Sequence, residues 1–149
     1  MASDGQQGPA LFTLRDARES DLPSVDFMAL GEGMDRMPGI ERMRVAVNDA
    51  DEVVGFLRLQ PDAQGVAYVN PVVVYPTWRG QGVGRALMDD AHERAGELRL
   101  IARGTSVGFY QKLGFTNMSW ADTDQSAASE DCDGCPYRAD CKPQPMRLV

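Results

Sequence analysis

Arg79, Gly80, Gly82 and Gly84 fall in one short stretch, RGQGVG, which joins a β-branched run to a helical pattern. In full, residues 72–87 read VVVYPTWRGQGVGRAL. Val72, Val73 and Val74 suit a pleated strand. Pro76 closes it, because proline cannot donate to a ladder. Glycines remove side chains where the backbone must bend sharply or meet a ligand closely. A helix opening at about Gly82 leaves its first amides without intrahelical partners. Free amides and the positive end of the helix dipole together suit an anion, above all a phosphate. The contact set expected for that anion is Arg79, Gly80, Gln81, Gly82, Val83, Gly84 and Arg85.

Two familiar phosphate turns do not fit these letters. A P-loop ends in Gly-Lys-Ser/Thr, whereas Gly84 is followed by Arg85 and Ala86. A dinucleotide turn needs G-x-G-x-x-G, and the spacing of Gly80, Gly82 and Gly84 differs from it.

A second cluster could do different chemistry. All three cysteines lie within ten residues, as Cys132-x₂-Cys135-x₅-Cys141. A C-x₂-C pair supplies two thiolates at a spacing that chelates zinc or iron. No fourth cysteine follows, so His92 or an aspartate such as Asp131 would have to complete a zinc site. Free thiols and a disulfide stay open beside the metal reading.

These residues need elements to hold them. LFTLR, residues 11–15, alternates as a first strand. Glu19-Ser20-Asp21 offers a cap, and Leu22, Val25, Met28 and Ala29 follow at helical spacing. Gly31, Gly33, Pro38 and Gly39 break that helix into an irregular connector, with Met34 and Met37 expected in the core. The same connector has a second reading, a mobile flap over a ligand site, since methionine adapts to varied partners. Residues 43–47, 53–60 and 66–74 read as a meander of three strands, with Pro71 marking a bulge or splay in the last. A helix over 83–95 places Val83, Leu87, Ala91 and Ala95 on one face, and 98–102 is a buried strand. That order makes a parallel β-α-β unit. A short helix over 104–113, capped by Thr105 or Ser106, stops at Gly114. Strands over 115–120 and 145–149 complete the series.

The chain of 149 residues suits one domain with a real core. Residues 1–10 read as a disordered lead-in, residues 11–149 as the domain, and 121–144 as a polar, cysteine-containing loop. Net charge is −7, which argues against nucleic acid or an anionic membrane as partner. No apolar run is long enough for a membrane span, and the N-terminus lacks the pattern of a signal peptide. A cytoplasmic setting is expected.

Arg79-x-x-Gly82-x-Gly84 resembles the pyrophosphate loop of the GNAT superfamily of acyl-CoA N-acyltransferases. GFYQKLGF, residues 108–115, is similar to the late helix-to-strand segment of the same family, at a suitable distance downstream. The resemblance implies an α+β (mixed α/β) fold, with a central, mostly antiparallel sheet of six to seven strands and about four helices. It implies acetyl-CoA as cofactor and acetyl transfer to an amine of a small molecule or protein. The cysteine segment is an elaboration outside that pattern, and a homodimer stays open.

Acetyl transfer requires a neutral amine, a donor for the oxyanion and a proton for the leaving thiolate. Amides near Val72, Val73 and Val74 could polarise the carbonyl and grip the pantetheine arm. A phenol, of pKa about 10 against about 8.5 for a thiol, can donate to the thiolate. By resemblance that general acid is Tyr110, whereas Phe109 is expected in the core. The strand before the glycine turn offers Tyr68 and Asn70 but no carboxylate as base. Glu32, Asp35, Glu41 or a water-mediated route are the candidates. An alternative function keeps acyl-CoA binding without turnover, in a regulatory module whose cysteines sense metal or redox state.

Overall fold

The computed structural model describes residues 11–123, 136 and 138–149. The expected lead-in and two of the cysteines, Cys132 and Cys135, lie outside the described residues. In chain order the main elements are β1 (Phe12–Asp16), α1 (Leu22–Gly31), β2 (Met43–Asn48), β3 (Val53–Pro61) and β4 (Ala67–Val74). Then follow α2 (Val83–Ala95), β5 (Leu98–Ala102), α3 (Val107–Lys112), β6 (Thr116–Asn117), α4 (Arg138–Cys141) and β7 (Gln144–Leu148). Seven strands form one sheet in the order β1-β2-β3-β4-β5-β7-β6. The mixed α/β class, the strand number and the meander leading into the glycine turn are as expected.

The chain divides into two compact units. One comprises the described part of Met1–Arg58 with Pro71–Asp90, and the other comprises Leu59–Asn70 with the described part of Ala91–Val149. In the first unit β1 and β2 pair antiparallel, with Leu14 opposite Ala46, and β2 and β3 pair antiparallel with a register shift between Ala46 and Val47. Its core gathers Val25, Met28, Met43, Val45, Val47, Phe56 and Val73, with Met34, Met37 and Ile40 packed against it. The connector after α1 is thus anchored by its apolar side chains. It is also pinned by a hydrogen bond, since the Met37 amide donates to Asp26 Oδ1 at 2.9 Å.

The cap expected before α1 does different work. Asp21 makes no side-chain bond to the helix it precedes. Its carboxylate accepts from the Arg18 amide at 2.7 Å and from both terminal nitrogens of Arg15 at 2.7 and 2.9 Å. A bidentate, buried pair of this kind fixes the chain where β1 gives way to α1. On α2 the apolar face holds Val83 and Leu87 as expected, and Met88 as well. Gly55 on β3 lets α2 come close: a Cβ there would sit 2.9 Å from Val83 Cγ1 and 3.1 Å from the Val73 carbonyl. Arg44 reaches from β2 to both oxygens of Asp90 at 3.1 and 3.2 Å, tying the middle of the helix.

In the second unit β4 and β5 run parallel, closing the β-α-β unit. Among the described residues their register pairs are Ala67–Leu98 and Tyr68–Arg99. Pairing therefore ends ahead of Pro71, although both strands continue. β5 pairs antiparallel with β7, with Leu100 opposite Met146, and β7 with β6. Tyr68, Leu98, Leu100, Phe115 and Met146 are buried.

Several boundaries differ from expectation. Ala95 is exposed, because α2 ends there. The strand expected over 115–120 is reduced to Thr116–Asn117, and Trp120–Asp122 forms a 3-10 turn closed by the Ser119 hydroxyl. The polar segment over 121–144 contains a short helix, α4, instead of being loop throughout. No side chain caps α3: Ser106 precedes it without a capping hydrogen bond, and a 3-10 turn over Gly104–Ser106 leads in.

Candidate active site

β4 ends at Val74, and the chain then makes a tight turn over Pro76–Trp78. The turn closes with the Trp78 amide on the Tyr75 carbonyl at 2.8 Å. Trp78 lies edge-on to Phe12 of β1, at 6.5 Å between ring centres, which holds the turn against the sheet edge. Arg79 is extended, and Gly80 and Gly82 follow at φ +80° and +86°. These are left-handed conformations that an L side chain resists. A Cβ at either glycine would meet nothing within 4 Å. Conformation and open space, not packing, therefore call for glycine at both.

The first bond of α2 runs from the Ala86 amide to the Gly82 carbonyl at 3.0 Å. The amides of Gly82, Val83 and Gly84 precede that ladder. The Val83 side chain is buried beneath them and anchors the helix start. The Gln81 side-chain Nε2 donates to the Thr77 carbonyl at 3.2 Å, bracing the turn. Taken together, the turn combines exposed glycine backbone, a helix start and a braced loop. Its chemistry suits a diphosphate.

Arg79 departs from the expected picture of a charge standing at the turn. Its Nη2 donates to Glu32 Oε2 at 2.8 Å, and its Nε donates to the Val74 carbonyl at 3.2 Å. The guanidinium thus links the end of β4 to the residue that follows α1. Beside this link lies a cleft of about 210 Å³, lined by Phe27, Met28, Glu32, Val73, Tyr75 and Thr77 among others. Sequence reasoning had placed Glu32 only among candidate bases. Its partner lies 47 positions away, and no local signal announces the pair.

Tyr110 lies in the second unit, on α3. Its ring meets Phe109 edge-on at 5.2 Å and Phe115 at 5.8 Å. Burial pushes its phenol pKa above the ordinary value near 10. A phenol held in its protonated form is a donor over the whole neutral range, as a general acid requires. Phe109 corrects the expectation of a core aromatic: it is 52% exposed, and Phe115 takes the buried place. Tyr68 is buried on β4, opposite Arg99 of β5.

Of the cysteines, only Cys141 is described. It ends α4, is half-buried and forms no disulfide among the described residues. Among the described residues no group of three or more His, Cys, Asp or Glu side chains is placed to hold a metal ion. Cys132 and Cys135 fall outside the described residues.

Comparison with known proteins accords with this geometry. The family model for the acetyltransferase (GNAT) domain matches residues 40–117. The peptidyl-lysine N-acetyltransferase YjaB of Escherichia coli is 39% identical over 74 residues, covering 48% of this chain and 47% of that one. The chain thus spans about half the length of the curated relatives it matches. Among solved structures, N-acetylglutamate synthase from Neisseria gonorrhoeae, complexed with coenzyme A and N-acetyl-glutamate, superposes with a TM-score of 0.74 at 17% identity. That match covers 93% of this chain and 35% of the synthase. A Mycobacterium tuberculosis protein in complex with CoA gives the same TM-score of 0.74 at 19% identity, over 92% of this chain and 98% of the other.

Proposed function

The chain belongs to the GNAT acetyltransferase family, and on that premise we propose that it transfers an acetyl group from acetyl-CoA to an amine, with a protein lysine as the leading acceptor and a small-molecule amine as the other. The observation that carries this reading is the turn at Gly80–Arg85, where left-handed glycines run into the start of α2. The lysine comes from the peptidyl-lysine activity named for the relative YjaB. The family match over residues 40–117 runs through parts of both units, which supports taking 11–149 as one acetyltransferase domain. Among the described residues no helix is long and apolar enough to cross a membrane. A cytoplasmic setting belongs to this reading on sequence grounds.

Each part of the site has a task. Amides from Gly82 to Arg85, with the dipole of α2 behind them, hold the diphosphate. Gly80 and Gly82 let the backbone approach it. The amides of Val72, Val73 and Val74 lie beyond the last register pair of β4 with β5, and they grip the pantetheine arm and polarise the thioester carbonyl. Acetyl-CoA supplies the activated acyl group. The neutral amine forms a bond from nitrogen to the carbonyl carbon, and the carbon–sulfur bond breaks. The nitrogen gives up a proton through water to solvent; the departing thiolate takes one from Tyr110, the acid that the family resemblance implies, and the phenolate regains its proton from solvent. Burial, by keeping that phenol protonated, supports this assignment.

Release of free CoA thiol over a panel of lysine peptides and small amines tests the reading. Turnover that collapses in Tyr110→Phe is expected. CoA binding without turnover on any amine would favour the regulatory module instead.

Cys132, Cys135 and Cys141 support a separate proposal through their spacing alone: a zinc or iron–sulfur site bracing the segment before β7. Elemental analysis of anaerobically purified protein tests it, and a metal-free, fully active chain would end it.

A further inference from the structure

Glu32 sits on the rim of the 210 Å³ cleft, and its backbone is set by the end of α1. Its amide donates to the Ala29 carbonyl at 3.0 Å, so the side chain projects from a fixed point. Phe27 and Tyr75 stand beside it in the lining, 68% and 37% exposed. Two accessible aromatic rings and one carboxylate around a small cleft make a receptor for a cation on an apolar stem. Val73, also in the lining, belongs to the strand end assigned to the thioester. The carboxylate's charge is meanwhile taken by Arg79, the residue that begins the diphosphate loop.

We propose that Glu32 is the acceptor-recognising carboxylate: Arg79 holds it while the coenzyme is absent, and the diphosphate draws that arginine away and frees it for the acceptor's ammonium, which passes one proton through water to solvent before its nitrogen attacks. This rests on the acetyltransferase reading and adds to it the acceptor class and an order of binding. The Arg79–Glu32 pair is about half exposed at the arginine end, at 52%, so solvent screens it and little holds it shut. A diphosphate offers the guanidinium stronger, charge-assisted and bidentate bonds. Exchange of one partner for the other is therefore downhill once coenzyme arrives. The cleft then presents an uncompensated carboxylate between two aromatic rings, which suits a primary ammonium on an alkyl chain better than a neutral or acidic amine.

The experiment compares wild type, Glu32→Gln and Glu32→Asp in the full chain. Calorimetry measures CoA affinity, and steady-state assays measure KM and kcat for a lysine peptide, for an alkyl diamine and for a neutral aromatic amine. Glu32→Gln should raise KM for the two cationic acceptors by about tenfold or more, the loss of one charge-assisted contact. It should leave KM for the neutral amine unchanged. It should also tighten CoA binding by up to about fivefold, because Arg79 no longer leaves an ion pair. Glu32→Asp, which keeps the charge, should restore part of the preference for cations. A change for the peptide alone, or for the diamine alone, would identify which source of the ammonium the cleft takes. Equal KM changes for cationic and neutral amines, or unchanged CoA affinity, would overturn the proposal. A wild-type chain that fails to bind CoA would instead bring down the acetyltransferase reading itself. Thermal melts of each variant separate loss of fold from loss of recognition.

Discussion

The glycine turn after β4 and the short helix α3 were the two places where the sequence spoke most directly of chemistry, and they work by opposite means. The turn presents main chain. Gly80 and Gly82 matter for the φ they adopt and the space they leave, and the proposed function assigns the binding to the amides ahead of Ala86. Helix α3 presents one side chain. Tyr110 matters for its phenol, half-buried against Phe109 and Phe115, with a pKa raised by that burial. A main-chain site is insensitive to most conservative changes and fails when the backbone is forced. A side-chain site fails at the loss of one atom and tolerates its surroundings.

Substitutions can break that contrast or sharpen it. Tyr110→Phe removes one oxygen and keeps the ring, so kcat should fall about 100-fold or more while CoA affinity holds. Steady-state kinetics beside a CoA titration check this, and an unchanged kcat would take the acid away from α3. Gly82→Val asks a β-branched residue to adopt φ +86°. The strain is about 1–2 kcal/mol, and CoA should bind about tenfold more weakly. A titration in which this variant matches wild type would show that the backbone is not the receptor.

A third test reaches the scaffold beneath the turn's neighbour, α1. Arg15, by its hydrogen bonds, holds the Asp21 carboxyl below its ordinary value of 3.8. The folded chain therefore binds fewer protons than the unfolded chain near that pH. The stabilisation is present above the unfolded value and is lost as pH falls through the folded one. Asp21→Asn should cost about 1.5–3 kcal/mol at neutral pH and flatten the acid arm of a stability profile measured by denaturant unfolding. The smallest effect is expected from Phe109→Ser. Phe109 is 52% exposed, so the change should stay within about 0.5 kcal/mol in a melt and leave kcat near wild type. A large loss there would mean that α3 depends on its outer aromatic after all.

What could be read from the letters follows the range of the interactions involved. The turn was legible because proline, glycine and a helical pattern act over a few residues. So were the meander and the parallel unit, whose hydrophobic periods are local. The Arg79–Glu32 link was not, since its partners lie 47 positions apart and either residue alone reads as solvated charge. Asp21 looked like a helix cap because capping is its commonest use at that position. The nearness of Arg15 after folding turned it to an ion pair instead. Phe109 was misplaced because a helix of six residues has too few turns to declare which face is buried. Met88 was missed for a related reason: four apolar residues spaced four apart described a stripe narrower than the face that packs.

The central claim is that backbone between Gly80 and Arg85 receives a diphosphate. Calorimetric titration of the wild-type chain with CoA, and with pantetheine, which lacks the diphosphate, tests it most directly. Saturable binding of CoA and affinity for pantetheine weaker by about 100-fold, the equivalent of two charge-assisted contacts, is the predicted result. No saturable heat with CoA, or equal affinity for the two, would contradict it.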